Sequence, residues 1–210
     1  MLQQALDLFL HLDRHLAAMV AEYGRTIYAV LFAIIFLETG VVVTPILPGD
    51  SLLFACGALS ATGGLDPWLL LILLSVAAVA GDSVNYTVGR FIGPRAFATE
   101  SRLLNRKHLL EAHAFYERHG GKTIVIARFV PIIRTFAPFV AGIGTMAYPR
   151  FFAYNVIGGV SWVLAGLGAG YAFGNVPAVR EHFSLVVLGI VAVSVLPIVL
   201  AAWKRRGQPA

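Results

Sequence analysis

The chain has 210 residues, of which 58% are hydrophobic and only 13% are charged, with a mean hydropathy of +0.78 and a formal net charge of +5. Soluble domains carry about 25% charged residues, so this composition argues against a soluble domain and indicates an integral membrane protein. The basic excess does not indicate nucleic-acid binding, because the Lys and Arg residues cluster beside apolar segments, as they do in cytoplasmic loops.

Residues 1–25 form the first predicted element, an amphipathic helix. Apolar residues recur at close to helical spacing with polar residues between them: Leu2, Leu6, Phe9, Leu10, Leu16 and Val20. The segment is too charged to cross the hydrocarbon core of a membrane. We therefore expect it to lie in the plane of the membrane interface.

Residues 26–65 are apolar but interrupted. Glu38 is the single charged residue of 26–49, and the sequence Pro-Ile-Leu-Pro-Gly-Asp separates this piece from a second, uncharged one at 51–65. A helix of about 20 residues is needed to cross the hydrocarbon core, and the second piece, at about 15 residues, is too short. The pattern predicts a re-entrant hairpin, with a helix entering the membrane, a Pro/Gly turn, and a shorter helix leaving it.

Residues 67–90 predict the first complete span, because the run is apolar and long enough. Its second half holds three polar side chains, those of Asp82, Asn85 and Tyr86. Residues 91–122 follow as a predicted helical loop. The stretch from Arg90 to Lys122 contains seven Lys or Arg residues and three Glu residues.

Residues 123–149 are the second broken segment. Charged residues and prolines interrupt the apolar run or end it: Arg128, Pro131, Arg134, Pro138 and Pro149. Proline removes a backbone donor from a helix, and charges are costly in lipid, so the pattern disfavours a continuous spanning helix. We predict a second re-entrant hairpin here.

Two further spans are predicted at residues 151–174 and 183–203, which are uncharged and long enough. Residues 204–210 form a basic tail. Within the first of these spans, Gly166 and Gly170 form a Gly-x-x-x-Gly pair. The pair either permits close contact with another helix or reflects the ordinary composition of membrane helices.

Basic residues predict the orientation, since cytoplasmic loops are enriched in Lys and Arg. Both the loop at 91–122 and the tail at 204–210 are basic, so both are predicted to be cytoplasmic, while the side of the N-terminal helix stays open. The second hairpin then enters from the cytoplasm and the first from outside. The predicted fold is an all-α polytopic membrane protein with two oppositely oriented re-entrant broken helices, about three full spans and an amphipathic N-terminal helix. A single membrane domain at 26–203 with opposed broken segments is typical of inverted-repeat transporters.

Four ionisable residues lie inside the two broken segments, and such residues usually mark an ion or substrate pathway. Glu38 and Asp50 lie in or beside the first segment, and Arg128 and Arg134 lie in the second. Burial favours the protonated form of a carboxyl group, so the two acids are the predicted proton carriers. The planar fork of arginine suits phosphate, so the two arginines are the predicted phosphate ligands. The alternative is a structural cluster in which opposed charges only neutralise one another.

Asp82 and Arg90 are secondary candidates. The alternative to a role in the site is that Asp82 only caps or pairs, and that Arg90 only marks the membrane edge, which is favoured for Arg90. No metal and no cofactor are expected, because the chain has a single cysteine. His108 and His113, five residues apart, do not share a helix face.

Three blocks resemble the signature blocks of the DedA family, the bacterial branch of the SNARE-associated or VTT-domain membrane proteins. They are FLETGVVVTPILPGDSLLFACGAL at 36–59, GDSVNYTVGRFIG at 81–93 and RFVPIIRTFAPFVAG at 128–142. The similarity covers nearly the whole chain. The resemblance implies a bacterial inner-membrane protein linked to proton motive force, envelope integrity and tolerance of drugs or pH. Some members are implicated in moving lipids such as undecaprenyl phosphate or phosphatidylethanolamine, and eukaryotic relatives act as scramblases.

The family's acidic pair matches Glu38 and Asp50, and its arginine pair matches Arg128 and Arg134. The predicted function is a transporter, not an enzyme, that uses the proton motive force to move a phosphate-bearing lipid across the bacterial inner membrane. The expected partners are membrane lipids and protons, not nucleic acid, with a further copy of the chain in a homo-oligomer as an additional candidate. The alternatives are a proton-coupled small-ion or drug antiporter, an energy-independent lipid scramblase, and a structural or chaperone-like membrane protein. A lipid-phosphate enzyme is disfavoured, because no histidine or cysteine with suitable spacing lies in the broken segments.

Overall fold

The computed structural model describes residues 24–41, 49–96, 114, 118, 120–143, 146–177, 179, 185–186 and 188–190. Within them the regular elements are helices, with no strand. They are α1 at Thr26–Gly40, α2 at Gly49–Ala61, α3 at Pro67–Ala96, a 3-10 turn at Gly120–Lys122, α4 at Thr123–Ala127, α5 at Pro131–Ile143 and α6 at Tyr148–Phe173. Several predicted features lie outside the described residues: the amphipathic segment up to 23, the Pro/Gly turn at 42–48, most of the loop at 91–122, most of the last span and the basic tail.

Two of these helices are long and apolar enough to cross a bilayer. They are Pro67–Phe91 within α3 and the whole of α6, with 25 and 26 residues. The spans predicted at 67–90 and 151–174 are therefore confirmed as helices of spanning length. By contrast, α1 has 15 residues, which cover about 22 Å against a hydrocarbon core of about 30 Å. The re-entrant geometry and the inverted repeat stay predictions.

The second broken segment is interrupted where the arginine and proline pattern predicts. Helix α4 has only five residues, turns follow at 128–130, and α5 begins at Pro131. Proline suits the first position of a helix, because its missing N–H has no intrahelical partner there. Helix α5 nevertheless continues through Pro138. Of the two internal prolines, one therefore coincides with the break and the other is accommodated within a helix, as neighbouring packing allows in membrane helices.

The described residues form two compact units. Unit 1 takes its residues from Met1–Ala29, Pro48–Leu70 and Ala165–Ala210, and unit 2 takes its residues from Val30–Leu47 and Leu71–Leu164.

In unit 1, α2 packs closely on the last turns of α6. A Cβ on Gly170 would overlap the carbonyl of Phe54, and one on Gly166 would press on the side chain of Leu53. The two glycines of the Gly-x-x-x-Gly pair therefore lie at a close helix contact, where a missing side chain lets backbones approach.

The connection from α2 to α3 shows why both helices end and begin where they do. Gly63 has φ +82°, and the N–H groups of Gly63 and Gly64 donate to the carbonyls of Ser60 and Leu59, each at 3.0 Å. This is a Schellman motif, which closes a helix through a left-handed glycine. Asp66 then caps α3, because its Oδ1 accepts from the N–H groups of Trp68 at 2.8 Å and Leu69 at 3.0 Å.

Unit 2 has an aromatic core that holds α3, α5 and α6 in place. The rings of Tyr86 and Phe151 stack with centroids 4.4 Å apart, and the Tyr86 hydroxyl donates to the carbonyl of Met146 at 2.7 Å. Small residues of α4 and α5 pack against these rings, among them Ala127 and Ala137. The core therefore fixes the broken segment against the spanning helices.

Candidate functional site

Four charged side chains are buried together with their partners inside unit 2. Glu38 comes from the last turn of α1, Asp82 from α3, Arg128 from the break between α4 and α5, and Arg134 from the first turn of α5. Their exposed fractions are 1%, 3%, 2% and 8%. Charged side chains are almost never buried to this extent unless they are paired. The four form two carboxylate–arginine pairs.

The first pair joins Arg134 to Glu38, with Nη2 donating to Oε1 at 2.7 Å. Each charge lies at the unfavourable end of its own helix. Glu38 is near the negative C-terminal end of α1, and Arg134 is near the positive N-terminal end of α5. Neither helix dipole stabilises its own side chain, so the contact between the two charges offsets part of that cost. Neutralising one partner should therefore weaken the hold on the other.

The second pair joins Arg128 to Asp82, with Nη2 of the arginine donating to Oδ2 of the acid. The same Nη2 donates to Oδ1 of Asn155 at 2.6 Å and lies 3.4 Å from the carbonyl of Ala78. Asn155 is itself oriented, since its Nδ2 donates to the carbonyl of Val79 at 2.9 Å. Asn155 therefore holds one edge of the guanidinium against α3 and α6.

Both arginines lie over one aromatic ring. The guanidinium carbons are 5.0 Å for Arg134 and 5.9 Å for Arg128 from the centroid of Trp162, which is buried on α6. Cation–π attraction acts within about 6 Å and strengthens when the groups are desolvated. Trp162 thus brings the two ion pairs into one cluster.

Arg128 has donors that the described residues do not satisfy. Its Nε and Nη1 atoms are buried, and neither has a hydrogen-bond partner there. A Cβ on Gly158 would lie 3.6 Å from Nε, and one on Gly159 would lie 3.4 Å from Nη1. The two glycines of α6 therefore lie beside these nitrogens, where any larger residue would place its side chain against the guanidinium. Buried cationic donors without acceptors are costly, which makes this arginine a candidate anion ligand.

Asn85 of α3 contacts both of the helices that carry the first pair, α1 and α5. Its Nδ2 donates to the carbonyl of Thr135 at 2.9 Å and approaches that of Thr39 at 3.4 Å. Thr39 and Thr135 are the neighbours in sequence of Glu38 and Arg134. The amide therefore fixes the end of α1 and the start of α5 on α3.

A family model described as the VTT domain matches residues 47–172 of this chain. The protein DedA of Escherichia coli strain K12 is 54% identical to it over 204 residues, which cover 96% of this chain and 93% of that protein. The chain belongs to the DedA family. The inner membrane protein YqjA of the same strain is 34% identical over 183 residues, covering 87% of this chain and 82% of YqjA. An uncharacterized membrane protein of Mycobacterium leprae is 46% identical over 171 residues, covering 81% of this chain and 77% of that protein. No solved structure matches it.

This DedA family member is thus a membrane protein, and three of its four predicted site residues meet in unit 2: Glu38, Arg128 and Arg134. The fourth charged residue of the cluster is Asp82, which the sequence offered only as a secondary candidate. Asp50 lies in unit 1, in the first turn of α2, where a carboxylate suits the helix dipole. Arg90 is exposed on α3, outside the cluster. The predicted proton-carrying role of Asp50 stays a prediction.

Sequence reasoning missed two members of the cluster, Asn155 and Trp162. Each carried a weak signal. Asn155 is an amide in an otherwise apolar span, and Trp162 lies in mid-span, whereas interfacial tryptophans lie at span ends. Among the described residues no group of three His, Cys, Asp or Glu side chains could hold a metal ion.

Proposed function

We propose that this DedA family protein is a proton-coupled transporter that moves a phosphate-bearing lipid across the bacterial inner membrane. Undecaprenyl phosphate and glycerophospholipids are the candidate cargo classes. Its partners are membrane lipids and protons, and it acts as a transporter and not as an enzyme. The inner-membrane name of the relative YqjA supports the location.

The observation that carries the proposal is the donor set of Arg128. Two of its nitrogens are buried without a partner among the described residues, while Asp82 and Asn155 hold the third. A phosphate oxygen is the kind of acceptor that a guanidinium binds best. An anionic headgroup would satisfy these donors without displacing Asp82.

The proposed cycle couples this site to protons through the first pair. Protonation of Glu38 removes the negative charge that holds Arg134 and frees that guanidinium for the headgroup phosphate. Loss of the proton restores the pair and expels the headgroup. The direct hydrogen bond from Nη2 of Arg134 to Oε1 of Glu38, at 2.7 Å in a buried setting, supports this step, because protonation of the acid weakens that charged contact.

The test uses purified protein in vesicles that contain labelled undecaprenyl phosphate or labelled phosphatidylethanolamine, with and without a pH gradient. Wild type is compared with Arg134→Ala and Arg134→Lys. We expect gradient-dependent movement in wild type, none in the alanine variant and reduced movement in the lysine variant, which keeps the charge but loses the planar fork. Arg150→Ala is the matched control, because Arg150 is an exposed arginine at the start of α6.

The other outcomes separate the alternatives. Lipid movement that ignores the gradient identifies a scramblase. Exchange of small cations for protons without lipid movement identifies an antiporter. Normal lipid movement in Arg134→Ala would contradict the proposed role of the arginine outright.

A further inference from the structure

A groove runs along unit 2 between the two helices of spanning length. It has a volume of about 570 Å³, and its walls are formed mainly by Val76, Val79 and Ala80 of α3 and by Phe152, Val156 and Val160 of α6. This volume lies within the range of ligand pockets, about 300–1,000 Å³. The groove is thus large enough to hold part of a lipid.

The lining favours a hydrocarbon occupant. It contains no charged residue, and Val76, Phe152 and Val160 are exposed on helices of membrane-spanning length. The surroundings of such a surface are acyl chains, since the outer face of a membrane helix meets lipid and not water. An acyl chain is therefore the occupant that matches these walls.

The groove adjoins the phosphate-binding candidate. The backbone carbonyl of Val79 in its wall accepts a hydrogen bond from Asn155, and Asn155 accepts one from Arg128. A Cβ on Gly159 would lie 2.9 Å from Cγ2 of Val79 and 3.4 Å from Nη1 of Arg128. Gly159 therefore lies where the apolar wall and the donors of the guanidinium meet.

Ser75 adds a polar group to this mainly apolar wall. Its side chain lines the groove, it is only 8% exposed, and its hydroxyl has no hydrogen-bond partner among the described residues. Ser75 lies one helical turn from Ala78, whose carbonyl is 3.4 Å from Nη2 of Arg128. A buried hydroxyl donor beside a phosphate site and an apolar groove matches the order of groups in a glycerophospholipid, which are phosphate, ester and chain.

We propose that the groove binds the acyl chain of an ester-linked phospholipid, with its phosphate on Arg128 and an ester carbonyl accepting from Ser75. This rests on the proposed function and deepens it, because it selects an ester-linked lipid over a prenyl phosphate, which has no ester group.

The test is photo-crosslinking in micelles of dodecyl maltoside, a detergent with neither phosphate nor ester. The probe is phosphatidic acid with a diazirine in its acyl chain, and a diacylglycerol with the same chain is the phosphate-free comparison. We expect labelled peptides from the groove walls, with more label from phosphatidic acid. Label spread evenly over lipid-facing positions such as Ile72 and Val84 would contradict specific binding of the acyl chain in the groove.

Matched variants make the test specific. Val156→Trp fills the groove and should remove the groove label, whereas Ile157→Trp puts the same bulk on the next, outward-facing residue and should leave the label intact. Ala80→Phe fills the groove from the opposite wall, in case the first variant folds poorly. Unchanged label in both filled variants would refute the proposal.

The ester contact has its own readout. Ser75→Ala should weaken phosphatidic acid binding about fivefold, the effect of one net hydrogen bond, and should leave binding of a prenyl phosphate competitor unchanged. A prenyl phosphate that displaces the probe better than unlabelled phosphatidic acid would overturn the ester-linked choice. If the groove is labelled but the protein moves no lipid, acyl-chain binding in the groove is supported and the transport function is contradicted. If the protein moves lipid but the groove label is not enriched, the transport function is supported and acyl-chain binding in the groove is contradicted.

Discussion

Variants of the buried pair of Asp82 and Arg128 should distinguish its contribution to stability from its contribution to lipid transport. Asp82→Ala removes the carboxylate and leaves a guanidinium buried with its charge uncompensated at that edge. Breaking a buried ion pair from one side costs about 3–5 kcal/mol. Arg128 keeps its hydrogen bond to Asn155 at 2.6 Å and its contact with Trp162. We therefore expect the lower half of that range, about 3–4 kcal/mol.

The assay is thermal unfolding of the purified protein, followed by lipid movement in vesicles. A loss of 3–4 kcal/mol lowers the melting temperature by roughly 6–16 °C, at about 2–4 °C per kcal/mol for a chain of this size. The double variant Asp82→Leu with Arg128→Met removes both charges and keeps apolar volume. Replacing a buried pair in this way is often neutral or stabilising, so its melting temperature should return to that of wild type or above.

Transport should not return with stability. If Arg128 binds the headgroup, the double variant folds and moves no lipid. A double variant that transports normally would show that the cluster is only structural. A double variant as unstable as Asp82→Ala would show instead that the two residues do not compensate each other in the folded protein.

Three further predictions follow. Glu38→Gln keeps an acceptor for Arg134 but no longer titrates, so any lipid movement by this variant should become independent of a pH gradient. Flux measurements in which the variant depends on the gradient as strongly as wild type would contradict the coupling role of Glu38. Gly170→Ala places a Cβ on the carbonyl of Phe54 and should lower the free energy of unfolding by about 1–3 kcal/mol. The control Gly168→Ala, whose Cβ meets nothing within 4 Å, should raise it by up to about 1 kcal/mol. Equal melting temperatures for the two variants would refute the close contact. Asp66→Ala removes the cap of α3 and should cost about 0.5–2 kcal/mol of unfolding free energy with unchanged transport per folded molecule; lost transport would give Asp66 a role beyond capping.

Local chemistry explains where prediction from the sequence succeeded. The span predicted from residue 67 on apolar length begins at Pro67, where Asp66 caps the helix and proline takes the first helical position. The interruption predicted in the second segment from its prolines and arginines lies directly before Pro131. The end of α1 at Gly40 could not be predicted, because residues 26–49 remain apolar well beyond it and the helix ends before the prolines.

In the site, too, the sequence predicted some features and not others. The expectation of two carboxylates against two arginines was made from charge in apolar segments, and the cluster of unit 2 has that composition. Sequence position favoured Asp50 as the second acid, because it adjoins the proline break. That Asp82 lies beside Arg128 depends on which face of α3 meets the guanidinium, and that is set by the packing of Ala78, Asp82 and Asn155 around it. The role of Asp50 stays a prediction.

By itself the sequence determined the helical membrane class, the two confirmed helices of spanning length, the break in the second segment and the choice of its two arginines as site candidates. These follow from hydropathy over about 20 residues, from proline's missing donor and from the cost of charge in lipid. Only the tertiary structure decided which carboxylate pairs with which arginine, that Trp162 lies under both guanidinium groups, and that two nitrogens of Arg128 are buried beside Gly158 and Gly159 without an acceptor among the described residues. Those features depend on contacts between residues tens of positions apart, where distances are set by the packing of whole helices and not by any local pattern.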